Sequence, residues 1–246
     1  MDLTSRTTTA DVRQQRPTTA VLPVGSFEQH GDFLPLATDT LIATAIATRI
    51  ATAYNVLLLP AVTMSCSHEH AAWPGTVSIS HQTLSAIVTD VAGSLHAQGM
   101  HRLAIVNAHG GNYVLANVVQ AANANTPRSM TLYPTRTDWD TARRDAELET
   151  SAHDDMHAGE LEASILAEAY PEVLRDEALE QDHVAGDRSL LLIDGMGAYT
   201  SSGVIGRPSV ATAAKGEALL NSLTASFGTH LQLLNEHQRM PGRAPR

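Results

Sequence analysis

The stretch from Thr19 to Asp39, TAVLPVGSFEQHGDFLPLATD, decides the fold. Thr19 to Val24 is a short apolar run closed by Gly25 and Ser26, the pattern of a buried strand and its turn. Behind that turn stand Glu28, His30 and Asp39, three side chains able to ligate a metal. From Asp39 to about Ala53, Leu41, Ile42, Ala45, Ile46 and Arg49 recur at helical spacing, which predicts a helix.

The same unit repeats outward. NVLLLP, from Asn55 to Pro60, reads as a second strand, followed by the polar loop TMSCSHEHAAWPGTVSIS and a helical pattern from about Gln82 to Ala97. RLAIVN, from Arg102 to Asn107, is a third strand, trailed by AHGGN and a helix from about Tyr113 to Asn123. A fourth strand spans Met130 to Tyr133, and the polar segment from there to Asp155 shows no clear period. This alternation predicts an α/β fold, a three-layer α/β/α sandwich on a mostly parallel sheet. Open sheets of this kind bind ligands beyond the carboxyl ends of their strands, where these polar loops lie.

A chain of 246 residues, 43% apolar, suits one domain, expected over 19–235 between a flexible segment at 1–18 and a flexible tail at 236–246. A net charge of −10 opposes general attraction to nucleic acid or anionic membrane. Small molecules or peptides are the expected partners. Cys66 is the only cysteine, so neither an internal disulfide nor a cysteine zinc site can form. The first twenty residues lack the apolar core of a secretory signal and no membrane-spanning run follows, so a cytoplasmic location is expected.

Three clusters carry chemistry. Glu28 and His30, two apart in extended chain, point to one side, while Asp39 or Thr38 equally suits the cap of the following helix. In NAHGGN, His109 is a candidate ligand, and Gly110 and Gly111 let backbone N–H groups approach a developing anion. In HAGELEAS, His157 and Glu160 are three apart at a helix entry, with Glu162 beyond as a helix-start or supporting residue. Mixed oxygen and nitrogen donors suit Zn²⁺, Mn²⁺ or Fe²⁺.

PVGSFEQHG…LPLATDT, NAHGGN and HAGELEAS, together with SHEHAAWPGT and SSGVIGRPSVATAAKG, resemble the creatininase (creatinine amidohydrolase) family over roughly residues 19 to 225. The resemblance implies a creatininase-like sandwich, two divalent metals per chain, amide hydrolysis, and a homohexamer built as a trimer of dimers. It implies that Glu28 and His109 hold one metal, His30 the other, and that Asp39 bridges them. Creatininase proper has a glutamate ligand two residues after this histidine, where this chain has Gly111; Glu160 is the implied replacement, as ligand and proton carrier. His157 matches the family's catalytic histidine.

The HGGN form resembles formamide-cleaving pyrimidine deformylases and the mycofactocin-maturation peptidase of the same superfamily. The expected reaction is hydrolysis of a non-standard or cyclic amide of a small molecule, with deformylase or peptidase chemistry as the alternative and a non-catalytic metal-binding role as a second. His68, Glu69, His70 and Trp73 are expected to line the substrate opening, or else to form a structural network. A serine hydrolase is disfavoured, because the chain lacks a G-x-S-x-G elbow.

Overall fold

The protein is described by a computed structural model over residues 6–175 and 181–236. Four parallel strands form one sheet in the order β2-β1-β3-β4: β1 is Thr19–Val24, β2 Leu57–Leu58, β3 Arg102–Asn107 and β4 Met130–Tyr133. All six residues of β1 are buried, as a strand covered on both faces requires. β2 shrinks to two residues of the expected six.

Side-chain alternation assigns the layers. Val21 on β1 with Ala104 and Val106 on β3 face a core completed by helix α2 (Thr38–Ala53), helix α6 (Glu160–Ala169) and helix α8 (Ala213–Asn235). Ala20 and Leu22, with Leu103 and Ile105, face the opposite core, built with helix α3 (His81–Ala97) and helix α4 (Val114–Asn125). The α/β/α sandwich is therefore present.

Helix α8 lies beyond the expected elements, and two further helices stand where the sequence shows no helical pattern. Helix α1 (Thr9–Gln15) lies in the segment expected to be flexible and buries no residue. Helix α5 (Arg136–Asp145) occupies the aperiodic polar segment and starts with a capping box between Thr135 and Asp138. A single turn, α7 (Leu191–Asp194), precedes α8. The tail expected from 236 onward lies, beyond Glu236, outside the described residues.

The register of the sheet positions the site. Thr19 pairs with Arg102 and Val24 with Asn107, so β1 and β3 end level with one another. Their following loops leave the sheet side by side. The strand order also reverses direction here, since the chain steps from β1 outward to β2 and returns on the other side as β3. This is the switch point at which doubly wound sheets open a crevice.

Candidate functional site

The loop after β1 brings Glu28 and His30 to that crevice, and the loop after β3 brings His109 beside them. Asp39 sits in the first turn of α2 but caps nothing: the Ser26 hydroxyl donates to Asp39 Oδ2 at 2.7 Å, and the Thr38 hydroxyl bonds Pro35 O instead. Glu28, His30, Asp39, His109 and His157 are all buried. His109 Nδ1 lies 3.2 Å from Glu28 Oε1 and 3.1 Å from Asp39 Oδ2, while His30 Nε2 lies 3.3 Å from Asp39 Oδ1. Two sets of ligand atoms, Glu28–Asp39–His109 and His30–Asp39–Glu162, each fall within 4.8 Å, and Asp39 belongs to both. A third set joins Glu28, His30 and His157.

Main-chain hydrogen bonds fix the imidazoles. A carbonyl only accepts, so each ring nitrogen bonded to one must carry the proton. His30 Nδ1–H donates to Glu28 O at 3.0 Å, His109 Nε2–H to Cys66 O at 2.8 Å, and His157 Nε2–H to Gln29 O at 2.7 Å. The remaining nitrogens, His30 Nε2, His109 Nδ1 and His157 Nδ1, turn toward the carboxylates; His157 Nδ1 is 3.9 Å from Glu28 Oε1. This is how ligating histidines are oriented in metal sites.

The carboxylates complete the test of fit. Neither buried oxygen of Glu28 has a hydrogen-bond partner, although imidazole nitrogens stand nearby. Among the described residues no lysine or arginine forms an ion pair with Glu28, Asp39 or Glu162. An unpaired buried carboxylate costs several kcal/mol, on the order of 3 or more. A set of buried oxygen and imidazole donors sharing one carboxylate suits a pair of divalent cations.

The electrostatics divide the histidines into two kinds. Burial opposes charge on His30, but Asp39, then Glu162 and Glu28, overcome it and raise its pKa to about 9. Glu28 and Asp39 raise His109 in the same way against burial. His70 is lowered to about 4 by burial, and His157 is lowered by burial and by neighbouring His30 and His70. His157 is thus a neutral base with its lone pair aimed into the cluster. Burial also raises Glu162, to about 8, with Asp39 adding to the effect.

Glu160 does not join the cluster. Its Oε1 takes Lys215 Nζ at 2.5 Å and Glu149 N–H at 3.0 Å; its Oε2 takes the Thr150 N–H and hydroxyl at 2.9 and 2.6 Å. Glu162 reaches the cluster instead, 3.8 Å from His30 Nε2, with one oxygen also accepting Ala158 N–H. The expectation for Glu160 assumed that His157 lies on the helix. The helix starts at Glu160, after Gly159, so the three-residue spacing does not put the two side chains on one face. Asp155 sets this start by accepting Glu160 N–H at 2.6 Å and Leu161 N–H at 3.1 Å, and Arg143 holds it at 3.0 Å.

Gln29 and His70 have larger parts than the sequence suggested. The Gln29 amide is oriented by Gly31 N–H on its Oε1 and Gly203 O on its Nε2, and Nε2 also donates to His70 Nδ1 at 2.9 Å. His70 therefore carries its proton on Nε2, 3.2 Å from Glu28 Oε1. Expected on the substrate rim, His70 is buried inside the cluster. The signal available was the position of Gln29 between two ligand candidates in EQH.

Two cavities flank the site. One, of about 820 Å³, is lined by His109, Gly110, His157 and Glu162 and walled by Trp139, Arg143 and Arg188. The other, of about 680 Å³, is lined by His68, Glu69, Gly111 and the apolar Leu191–Ile193. Tyr113 borders both. A Cβ on Gly111 would overlap the Glu69 carboxylate, so only glycine lets Glu69 stand against His109. Trp73 lines neither cavity and packs with Ala185, Met196 and Ile205.

The family model described as creatinine amidohydrolase matches residues 4–231. The chain is 34% identical over 214 residues to the mycofactocin precursor peptide peptidase of Mycobacterium ulcerans (strain Agy99), covering 81% of this chain and 78% of that protein. It is 32% identical over 94 residues to the creatinine amidohydrolase of Pseudomonas putida, covering 36% of each. A crystal structure of creatinine amidohydrolase (creatininase) superposes with a TM-score of 0.81 at 21% identity, covering 96% of this chain and 99% of that one; manganese and zinc–zinc forms of creatininase share the fold. This chain belongs to the creatininase family of hydrolases.

Proposed function

We propose that the protein is a metal-dependent amidohydrolase that cleaves an amide C–N bond with a water molecule activated at the Glu28–His30–Asp39–His109–Glu162 cluster. The observation that carries this reading is the orientation of three imidazoles by main-chain carbonyls toward buried carboxylates that, among the described residues, have no lysine or arginine partner. Glu28 and His109 would hold one ion, His30 and Glu162 the other, and Asp39 both. Zinc, manganese or iron fits this donor set, and the zinc and manganese forms of solved creatininases support the first two. Bound there, such ions polarise a carbonyl and lower the pKa of water from about 15.7 to about 7.

The chain's own residues supply the rest. His157, neutral and with Nδ1 free, accepts the proton of the attacking water and returns it to the departing amine. Gly110, on the cavity wall beside His109 and His157, offers backbone to the developing oxyanion. Glu69 and His70 order the opposite side of the cluster. Glu160, bound to Lys215, is proposed as an anchor of α6 and not as a proton carrier.

A peptide amide ranks above a cyclic small-molecule amide as substrate. The peptidase relative matches across 81% of the chain, whereas the creatinine amidohydrolase relative matches across 36%. The exposed Leu192 and Ile193 on the lip of the apolar cavity fit a subunit contact in the proposed hexamer. No described helix is long and apolar enough to cross a membrane. The test is elemental analysis of the purified protein coupled to a hydrolysis screen over short peptides, formamides and cyclic amides. Peptide cleavage lost in chelator and restored by metal is expected; full activity in chelator would refute the reading, and metal retained without any cleavage would favour a binding role.

A further inference from the structure

One arginine on the wall of the larger cavity has no carboxylate partner among the described residues. Three guanidinium groups line it, those of Arg136, Arg143 and Arg188, and three carboxylates, those of Asp140, Asp155 and Glu162. Arg143 pairs with Asp155 at 3.0 Å, Arg136 stands 3.8 Å from Asp140, and Glu162 faces His30 at 3.8 Å. Arg188 is the one left over.

Its position is nonetheless fixed. Arg188 Nη1 donates to Ala185 O and Gly186 O, and Nη2 to His153 O at 2.6 Å. Nη2 also stands 3.5 Å from His153 Nδ1; none of these four contacts is to a carboxylate, and none uses Nε–H. Among the described residues Arg188 forms no ion pair. A half-buried guanidinium held in this way keeps its full charge and its Nε–H donor. It lines the same cavity as His109, His157 and Glu162, in a chain whose net charge is −10. A cavity of about 820 Å³ is large enough to hold a ligand that spans both ends.

Resting on the amidohydrolase reading above, we propose that Arg188 is a specificity-determining residue that binds a carboxylate of the substrate, so that the enzyme acts on anionic amides. The carboxylate is either the free C-terminus of a short peptide or an acidic side chain next to the scissile bond. Both present an anionic oxygen that can accept from the remaining Nε–H beside the guanidinium charge.

The experiment uses matched substrates on the metal-loaded protein: short peptides with a free or an amidated C-terminus, and peptides with glutamate or glutamine beside the cleaved bond. In the wild type, kcat/KM is expected to favour the carboxylate member of one pair by about 10- to 100-fold, and the preferred pair identifies the source. In Arg188→Met the preference falls to about one, chiefly through KM, while the neutral member is cleaved as before; Arg188→Lys restores part of it. A wild type without preference, or a Met variant that melts normally yet slows both members equally, overturns the proposal.

If the metal-loaded wild type cleaves nothing in the panel, the amidohydrolase reading fails on that panel, and calorimetric titration with 4-phenylbutyrate and neutral 4-phenylbutanol decides Arg188 separately. Tighter binding of the carboxylate that is lost in Arg188→Met supports the anion site. Equal binding of the carboxylate by both proteins refutes it.

Discussion

Two glutamates two residues apart on one helix, Glu160 and Glu162, end in opposite kinds of surroundings. Glu160 is fully buried and fully satisfied, with a lysine ammonium, a threonine hydroxyl and two backbone N–H groups around its oxygens. Glu162 faces a cluster in which Asp39 takes one serine hydroxyl and, among the described residues, no lysine or arginine pairs with Glu28, Asp39 or Glu162. A buried acid supplied with a cation by the chain is part of the scaffold. A group of buried acids without a lysine or arginine partner is the proposed place for a cation from outside.

The largest expected effect tests the second kind. Asp39→Asn should deplete both proposed ions and lower hydrolysis by about 1,000-fold or more, measured by metal content and initial rate; full metal occupancy would break the bridging assignment. His157→Ala should lower the rate by roughly 100- to 10,000-fold while the metal content stays unchanged. If metal leaves as well, His157 is a ligand and the division between ligands and base must be redrawn.

The comparison itself is sharpened by exchanging the two glutamates. Glu162→Gln should reduce bound metal and rate together, whereas Glu160→Gln should keep its metal and change the rate only a few-fold. Equal metal loss in both variants would erase the distinction. Lys215→Met leaves Glu160 buried without its cation, which costs about 3 kcal/mol in urea unfolding.

The smallest effect is one of pH. Burial works against the Glu160 carboxylate, but Lys215, Thr150 and the backbone N–H groups of Glu149 and Thr150 prevail and hold its pKa below the ordinary value. A depressed carboxyl contributes stability above its unfolded pKa, about 4.3, and loses it as the pH falls through the folded value. Stability should therefore drop on acidification in the wild type and drop less in Lys215→Met. An identical acid dependence in the two would remove Glu160 from the account.

The sheet was legible because its strands are buried runs of the kind TAVLPV and RLAIVN, which turn residues punctuate sharply. β2 was overread, since an apolar run such as NVLLLP can be buried without being paired along its length. Helix α5 left only the short Thr135–Asp138 signature, because a surface helix of mostly charged residues has little apolar period to detect. Glu28, His30, Asp39 and His109 could be placed together from two loops that follow adjacent strands. The identity of the glutamate on α6 could not, because it depends on where the helix begins. Successive helical residues turn by about 100°, so Glu160 and Glu162 point roughly opposite ways and a shift in the start exchanges them. Asp155 sets that start, through contacts with backbone that no local pattern encodes.

The three imidazoles take their bearings from peptide carbonyls of Glu28, Gln29 and Cys66, and a side-chain substitution cannot delete a peptide group. The bearing of each ring is therefore independent of neighbouring side chains, whereas Glu160 takes its bearing from Lys215 and Thr150. A scaffold so arranged can exchange an acid of the proposed centre without turning the histidines beside it.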